Sequence, residues 1–124
     1  MSTLSVIVKM AKKRKQKVAL KSHYRLTDVM QKIDSGQCDI RKNTADCAFD
    51  DFGWTTDEII KALKLLKEKH FCESITSNRN SWWVYDVYKA RLLGEKVYIH
   101  LYIDDTKGRL IINSCKKDLT IHYK

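Results

Sequence analysis

The hydrophobic period of the chain changes once, at Phe71, and that change constrains the fold more than any single motif does. Ahead of Phe71 the apolar residues recur every three or four positions. From Phe71 they recur every second position through the runs "FCESITS", "SWWVYDVYKAR", "EKVYIHLYID" and "RLIINSCKK". A period of about 3.6 buries one stripe of a helix, and a period of two buries one face of a strand. The breaks between the runs, "NRN", "LLGE" and "DDTKG", carry the residue types that hairpin turns use. The sequence therefore predicts helices first and an antiparallel meander second, an α+β fold with about three helices packed on one face of the sheet.

The helical half divides at its glycines. In "HYRLTDVMQKIDSGQ", Leu26, Val29, Met30 and Ile33 form one stripe, Thr27 is a candidate cap and Gly36 marks the end. A second, short helix is expected after Thr44, with Ala45, Ala48, Phe49 and Phe52 turned inward and Gly53 stopping it. The third, "TTDEIIKALKLLKEKHF", opens with a Thr55-x-x-Glu58 capping box. It places Ile59, Ile60, Leu63 and Leu66 on one face and Lys61, Lys64 and Lys67 on the other, as a solvated surface.

At 124 residues, 44% hydrophobic and 31% charged, the chain is long enough for one core and too short for two. No window of ~18 consecutive apolar residues is present to span a bilayer. The formal net charge of +9 is unevenly spread. Residues 1–25 hold eight Lys or Arg and no acid, whereas the remainder carries 16 basic against 15 acidic side chains. We read residues 1–22 as a flexible basic arm and residues 23–124 as the single folded domain. Such an arm is either a solvated charge run or a contact for the phosphates of a polyanion.

Four cysteines (Cys38, Cys47, Cys72, Cys115) and four histidines (His23, His70, His100, His122) raise the question of zinc. No two cysteines have the C-x₂-C or C-x₄-C spacing of a closed zinc site, so neither a metal nor another cofactor is expected. The apolar run of the arm precedes its basic run, the reverse of a secretory signal, and reduced thiols in a cytoplasmic setting follow.

The strand "KVYIHLYID" alternates Val97, Ile99, Leu101 and Ile103 with Tyr98, His100, Tyr102 and Asp104, so one face meets the helices and the other is expected to meet water. Beside that outward face the preceding strand supplies Tyr85, Tyr88, Lys89 and Arg91. Aromatic rings interleaved with cations suit the bases and phosphates of single-stranded RNA. Aromatics at a period of two also pair across strands without any ligand, and pattern alone leaves both readings standing.

The pieces "HYRLTDV", "FGWTTDEIIKALKLL", "FCESI", "WVYDVYKARL", "KVYIHL" and "LIINSCKK" occur in this order between about His23 and Asp118. In this string the chain resembles the MqsR family of bacterial type II toxin–antitoxin toxins. The resemblance implies a RelE-like fold and a ribosome-independent, metal-free mRNA endoribonuclease in which the ribose 2′-hydroxyl attacks its neighbouring phosphate. A base must take the hydroxyl proton, a cation must stabilise the phosphorane, and an acid must protonate the departing 5′-oxygen. The resemblance also implies a cognate antitoxin, commonly a zinc-binding, helix-turn-helix repressor of the MqsA type.

Carried over by position, the family's strand tyrosine falls on Tyr98 and its C-terminal strand lysine on Lys116, both kept. Lys116 suits charge stabilisation, and Tyr98 would hold phosphate or exchange a proton if a neighbouring cation lowers its pKa. Two positions depart from the pattern. A lysine of the family falls on Glu73, and a glutamine on Tyr85. Glu73 is either a carboxylate base, with His100 as acid, or a charge that repels phosphate. His100, Tyr102, Lys89, Arg91 and Lys117 are the expected RNA contacts. Asp86 and Arg91 are weighed towards structural roles, Asp86 facing away from Tyr85. Base preference is expected to rest on the "SNRN" and "DDTKG" turns.

Overall fold

A computed structural model of the protein describes residues 16–77 and 83–119. Residues 1–15 of the basic arm, residues 78–82, on which the expected "NRN" turn falls, and residues 120–124 lie outside the described residues. In chain order the elements are β1 (Gln16–Ala19), α1 (Leu26–Asp34), β2 (Cys38–Ile40), α2 (Lys42–Phe52), α3 (Thr56–Leu63), a 3₁₀ turn (Glu68–His70), β3 (Phe71–Ser77), β4 (Trp83–Leu92), β5 (Glu95–Asp104) and β6 (Arg109–Lys117).

The strands form one mixed sheet in the order β1–β3–β4–β5–β6–β2. Strands β3 to β6 make the expected antiparallel meander. Between β4 and β5 the tight turn has positive φ at both central residues, Leu93 (51°) and Gly94 (82°), the geometry whose twist matches that of the paired strands. Two edge strands extend the sheet beyond the expectation. β2 runs parallel to β6, and β1 pairs antiparallel with β3 from Gln16 opposite Ser77 to Ala19 opposite Ser74. The sheet thus begins inside the stretch read as an arm, and a boundary at residue 22 separates β1 from the strand it pairs with.

The helices and the sheet share one core. Val29 and Ile33 of α1, Ala48 of α2, and Ile59, Ala62 and Leu63 of α3 pack with Trp54 on Ala90, Leu92, Val97, Ile99, Leu101, Leu110, Ile112 and Cys115. Glu58 accepts the backbone N–H of Thr55 at 2.7 Å, which is the capping box read from sequence. The helix ends at Leu63, and Lys61 within it and Lys64 and Lys67 beyond it are exposed as expected.

Three local expectations need correcting. Thr27 does not cap α1, since the cap residue is Arg25 and Thr27 lies in the first turn. The entry to α1 is held instead by Asp86, fully buried on the helix-facing side of β4. Its carboxylate accepts the backbone N–H of His23 (3.1 Å to each oxygen) and of Tyr24 (2.9 Å). This is a structural role of the kind weighed for Asp86, with backbone N–H groups as its partners. In α2 the helix starts at Lys42, so Thr44 is itself buried and donates its hydroxyl to the Ile112 carbonyl at 3.1 Å. Thr44 and Ala48 then carry the inward stripe, and Phe49 is 60% exposed rather than inside. Tyr88 likewise faces the helices, buried edge-on against Phe71 at 5.7 Å, because it shares the parity of Asp86 and Ala90.

Candidate active site

The face of the sheet away from the helices owes its charge pattern to two β-bulges. Phe71 pairs with Tyr88 and Glu73 with Val87, leaving Cys72 as an extra residue in β3. His100 pairs with Ser114 and Leu101 with Ile112, leaving Asn113 as an extra residue in β6. Side chains alternate strictly between faces, so each inserted residue reverses the parity of everything beyond it. Without the first bulge Glu73 would share the core side of Phe71. Without the second, Lys116 would share the core side of Ile112.

Lys89, Tyr98 and Lys116 consequently stand side by side on β4, β5 and β6. The Lys116 ammonium lies 5.2 Å from the centroid of the Tyr98 ring and the Lys89 ammonium 6.0 Å from it. In the next row Glu73, Val87, His100 and Ser114 lie across β3 to β6. The rings of Tyr98 and His100 are 6.3 Å apart, those of Tyr85 and His100 4.4 Å, and those of Tyr85 and Tyr102 5.2 Å at nearly a right angle. This face is less solvated than the alternation suggested. Val87 is 0% and Tyr102 4% exposed, both enclosed by side chains that pack across neighbouring strands.

The electrostatics separate the roles of Tyr98 and His100. Burial raises the Tyr98 pKa, and the nearby Glu73, Cys72 and Asp118 raise it further. No lowering by a cation accompanies these effects, and Tyr98 keeps its proton. Burial lowers the His100 pKa and the Lys116 charge lowers it further, so the imidazole is held neutral. Its Nε2 is buried without a hydrogen-bond partner among the described residues. A neutral imidazole offers a lone pair to a proton, whereas an acid role would need the imidazolium.

The other expected contacts are placed less uniformly. Tyr85 lies on this face with its pKa raised, first by burial and then by Tyr102, against a lowering effect of Arg41. Arg91 is exposed two residues beyond Lys89, towards the β4–β5 turn. Lys117 has the opposite parity to Lys116, and its backbone N–H donates to Asp51 at 2.8 Å; it does not join the Tyr98 group. One residue that the sequence reading missed does join the face. Arg41, between β2 and α2, donates from its guanidinium to the Tyr102 hydroxyl at 2.8 Å. Nothing in the local sequence marks it, because its position follows from the parallel pairing of β2 with β6.

An open α+β sheet whose exposed side presents lysines around a protonated phenol defines a small protein with a cationic, aromatic face suited to phosphate-bearing ligands. The family described as "Motility quorum-sensing regulator, toxin of MqsA" matches residues 21–116, and the chain belongs to it. It is accordingly a toxin of a toxin–antitoxin system, with an antitoxin as its partner. No curated protein matches the chain. No helix among the described residues is long and apolar enough to cross a membrane.

Proposed function

We propose that the protein is an endoribonuclease acting on single-stranded mRNA in the cytoplasm, restrained by an antitoxin of the zinc-binding MqsA type. The observation that carries this reading is Tyr98 set between Lys89 and Lys116, with the neutral imidazole of His100 in the adjoining row of the same strand. His100 takes the proton of the ribose 2′-hydroxyl as the 2′-oxygen attacks the adjacent phosphorus. Lys116, assisted by Lys89, stabilises the charge that accumulates on the phosphorane oxygens. The bond from phosphorus to the 5′-oxygen then breaks, and Tyr98, whose raised pKa keeps it protonated, gives that oxygen a proton. The products are a 2′,3′-cyclic phosphate and a free 5′-hydroxyl, after which His100 and Tyr98 recover their protonation states from solvent. Tyr85, where the family has a glutamine, offers a ring for base stacking.

A second reading is favoured by one observation, the acidic Glu73 in the row next to Tyr98. On that reading the chain is a catalytically quiet RNA-binding homologue. A short RNA incubated with the pure protein in chelator separates the two. New ends bearing 2′,3′-cyclic phosphate establish the enzyme, and loss of at least about 10²-fold in rate in Lys116→Ala and in Tyr98→Phe establishes the site. Full cleavage by the double variant would exclude both residues. RNA binding with no cleavage would favour the quiet homologue.

A further inference from the structure

We propose that Arg41, fixed by Tyr102 and flanked by Tyr85, forms a second phosphate subsite that holds the RNA strand away from the reacting phosphate. The proposal rests on RNA being the ligand of the Tyr98 face and adds to it a residue from outside the meander.

The backbone of Arg41 is immobilised at both of its peptide groups. Its N–H donates to the Ile112 carbonyl at 3.4 Å, and its carbonyl accepts the N–H of Ala45 at 2.9 Å in the first turn of α2. The exposed side chain is then anchored at its tip by the buried phenol of Tyr102. A guanidinium has five N–H donors, and this bond uses one of them. No carboxylate pairs with Arg41 among the described residues, in contrast to Lys42, which binds Asp46 at 3.1 Å, and Arg109, which binds Asp39 at 2.9 Å. A pre-positioned arginine with donors to spare and no acid beside it is suited to bidentate recognition of a phosphate.

Its location selects a nucleic-acid strand over an acidic protein segment. Tyr102 and Tyr98 lie four residues apart on the same side of β5, about 13 Å at ~3.3 Å per residue. A single strand of a few nucleotides covers that distance. Between these two positions stands the ring of His100, with the ring of Tyr85 packed 4.4 Å from it on β4, and unpaired bases can stack on them. Phosphate, aromatic platform and phosphate alternate along the face as they do along RNA.

The test uses the full chain and a short RNA of mixed sequence in which every 2′-hydroxyl is methylated, so that it binds without being cut. Arg41→Ala is expected to weaken binding by about 10-fold and to reduce the slope of log K against log salt by ~0.7, the value for one phosphate contact on a single strand. Arg41→Lys is expected to keep the slope while losing a smaller factor in affinity, since an ammonium carries the charge but cannot fork. Tyr102→Phe is expected to keep the slope and weaken binding by less than Arg41→Ala does. An unchanged slope in a folded Arg41→Ala variant overturns the proposal, as does a wild-type protein that fails to bind this RNA. Poly-glutamate binding that depends on Arg41, with the RNA slope unchanged, would overturn it in favour of a protein-docking role. Because the probe cannot be cleaved, a slope change in a protein without nuclease activity would uphold the subsite while removing the catalytic reading. Cleavage with no slope change would do the reverse.

Discussion

Replacing Glu73 with glutamine distinguishes two accounts of the acidic residue on the face that carries Tyr98. Glu73 is on β3, with β4 between it and Tyr98 on β5. Two strand spacings of ~4.8 Å put its backbone about 10 Å from the reacting position. At that separation, with an effective dielectric between the surface and bulk-water values, its repulsion of a phosphate is about 1 kcal/mol. Screening over a Debye length of ~30 Å at 0.01 M salt leaves most of that, and over ~8 Å at physiological salt leaves about a third. Glu73→Gln is therefore expected to tighten RNA binding about threefold at low salt and less than twofold at physiological salt, with the cleavage rate equal to or above that of the wild type.

On the proposed mechanism His100, two residues from Tyr98 on β5, takes the 2′-hydroxyl proton. If Glu73 were the base, the same substitution would keep the shape, remove the proton acceptor and lower cleavage by roughly 10²-fold. Single-turnover cleavage of a labelled RNA, with binding measured in parallel at both salt concentrations, reads both quantities. An ultraviolet titration adds a check that does not depend on activity. Glu73 helps to raise the Tyr98 pKa, so the glutamine variant should ionise Tyr98 at lower pH. Glu73→Lys, which reverses the charge instead of removing it, should enlarge every effect in the same direction. A large loss of cleavage in Glu73→Gln with binding intact would refute the repulsion account and the assignment of His100 together.

Asp86→Ala removes a charged acceptor from two backbone N–H groups at the entry to α1, each contact worth ~1.5 kcal/mol. The expected loss of about 3 kcal/mol should lower Tm by roughly 12 °C, and a drop of under ~3 °C in thermal denaturation would contradict it. Deleting residues 1–15 should leave the described domain folded, whereas deletion through residue 21 takes β1 from β3, exposes a sheet edge and should lower Tm and promote association by light scattering. Equal Tm values for the two truncations would count against a stabilising role for β1. The lowered His100 pKa gives cleavage a rising limb with pH whose midpoint lies below 6.5, as the imidazole loses its proton. The same group favours folding above pH ~6.5, and this contribution is lost as pH falls towards the folded-state pKa, because the unfolded chain binds the proton more readily. A rate midpoint above 6.5 that moves with His100→Gln would reverse the sign of this argument.

The meander was legible because each of its strands buries one face against helices and so repeats apolar residues at every second position. Its turns announce themselves through Gly94 and Gly108, both at positive φ. The edge strands obey no such rule. β2 is three residues long, and β1 lies in a basic run whose composition resembles a tail. What makes each of them a strand is a partner far away in the chain, and pairing of that kind leaves no local period to read. Phe49 misled for a related reason, since the inward stripe of α2 depends on where the helix starts, and buried Thr44 was read as its start rather than as part of its core face.

The site follows a different logic, and part of it is written in the sequence as a fault. Along β6 the core residues are Leu110, Ile112 and then Cys115, a step of three where two is the rule, which is the trace of the bulge at Asn113. Phe71 followed by Ser74 on β3 leaves the same trace around Cys72. Each fault turns a charged residue, Lys116 or Glu73, from the core side to the Tyr98 face. A bulge of this kind fixes where a side chain stands without dictating what the side chain is. The same backbone frame around Tyr98 and Lys116 can therefore carry either charge at residue 73. A cation supplied from outside the meander, such as Arg41, can then carry phosphate binding elsewhere on the same face.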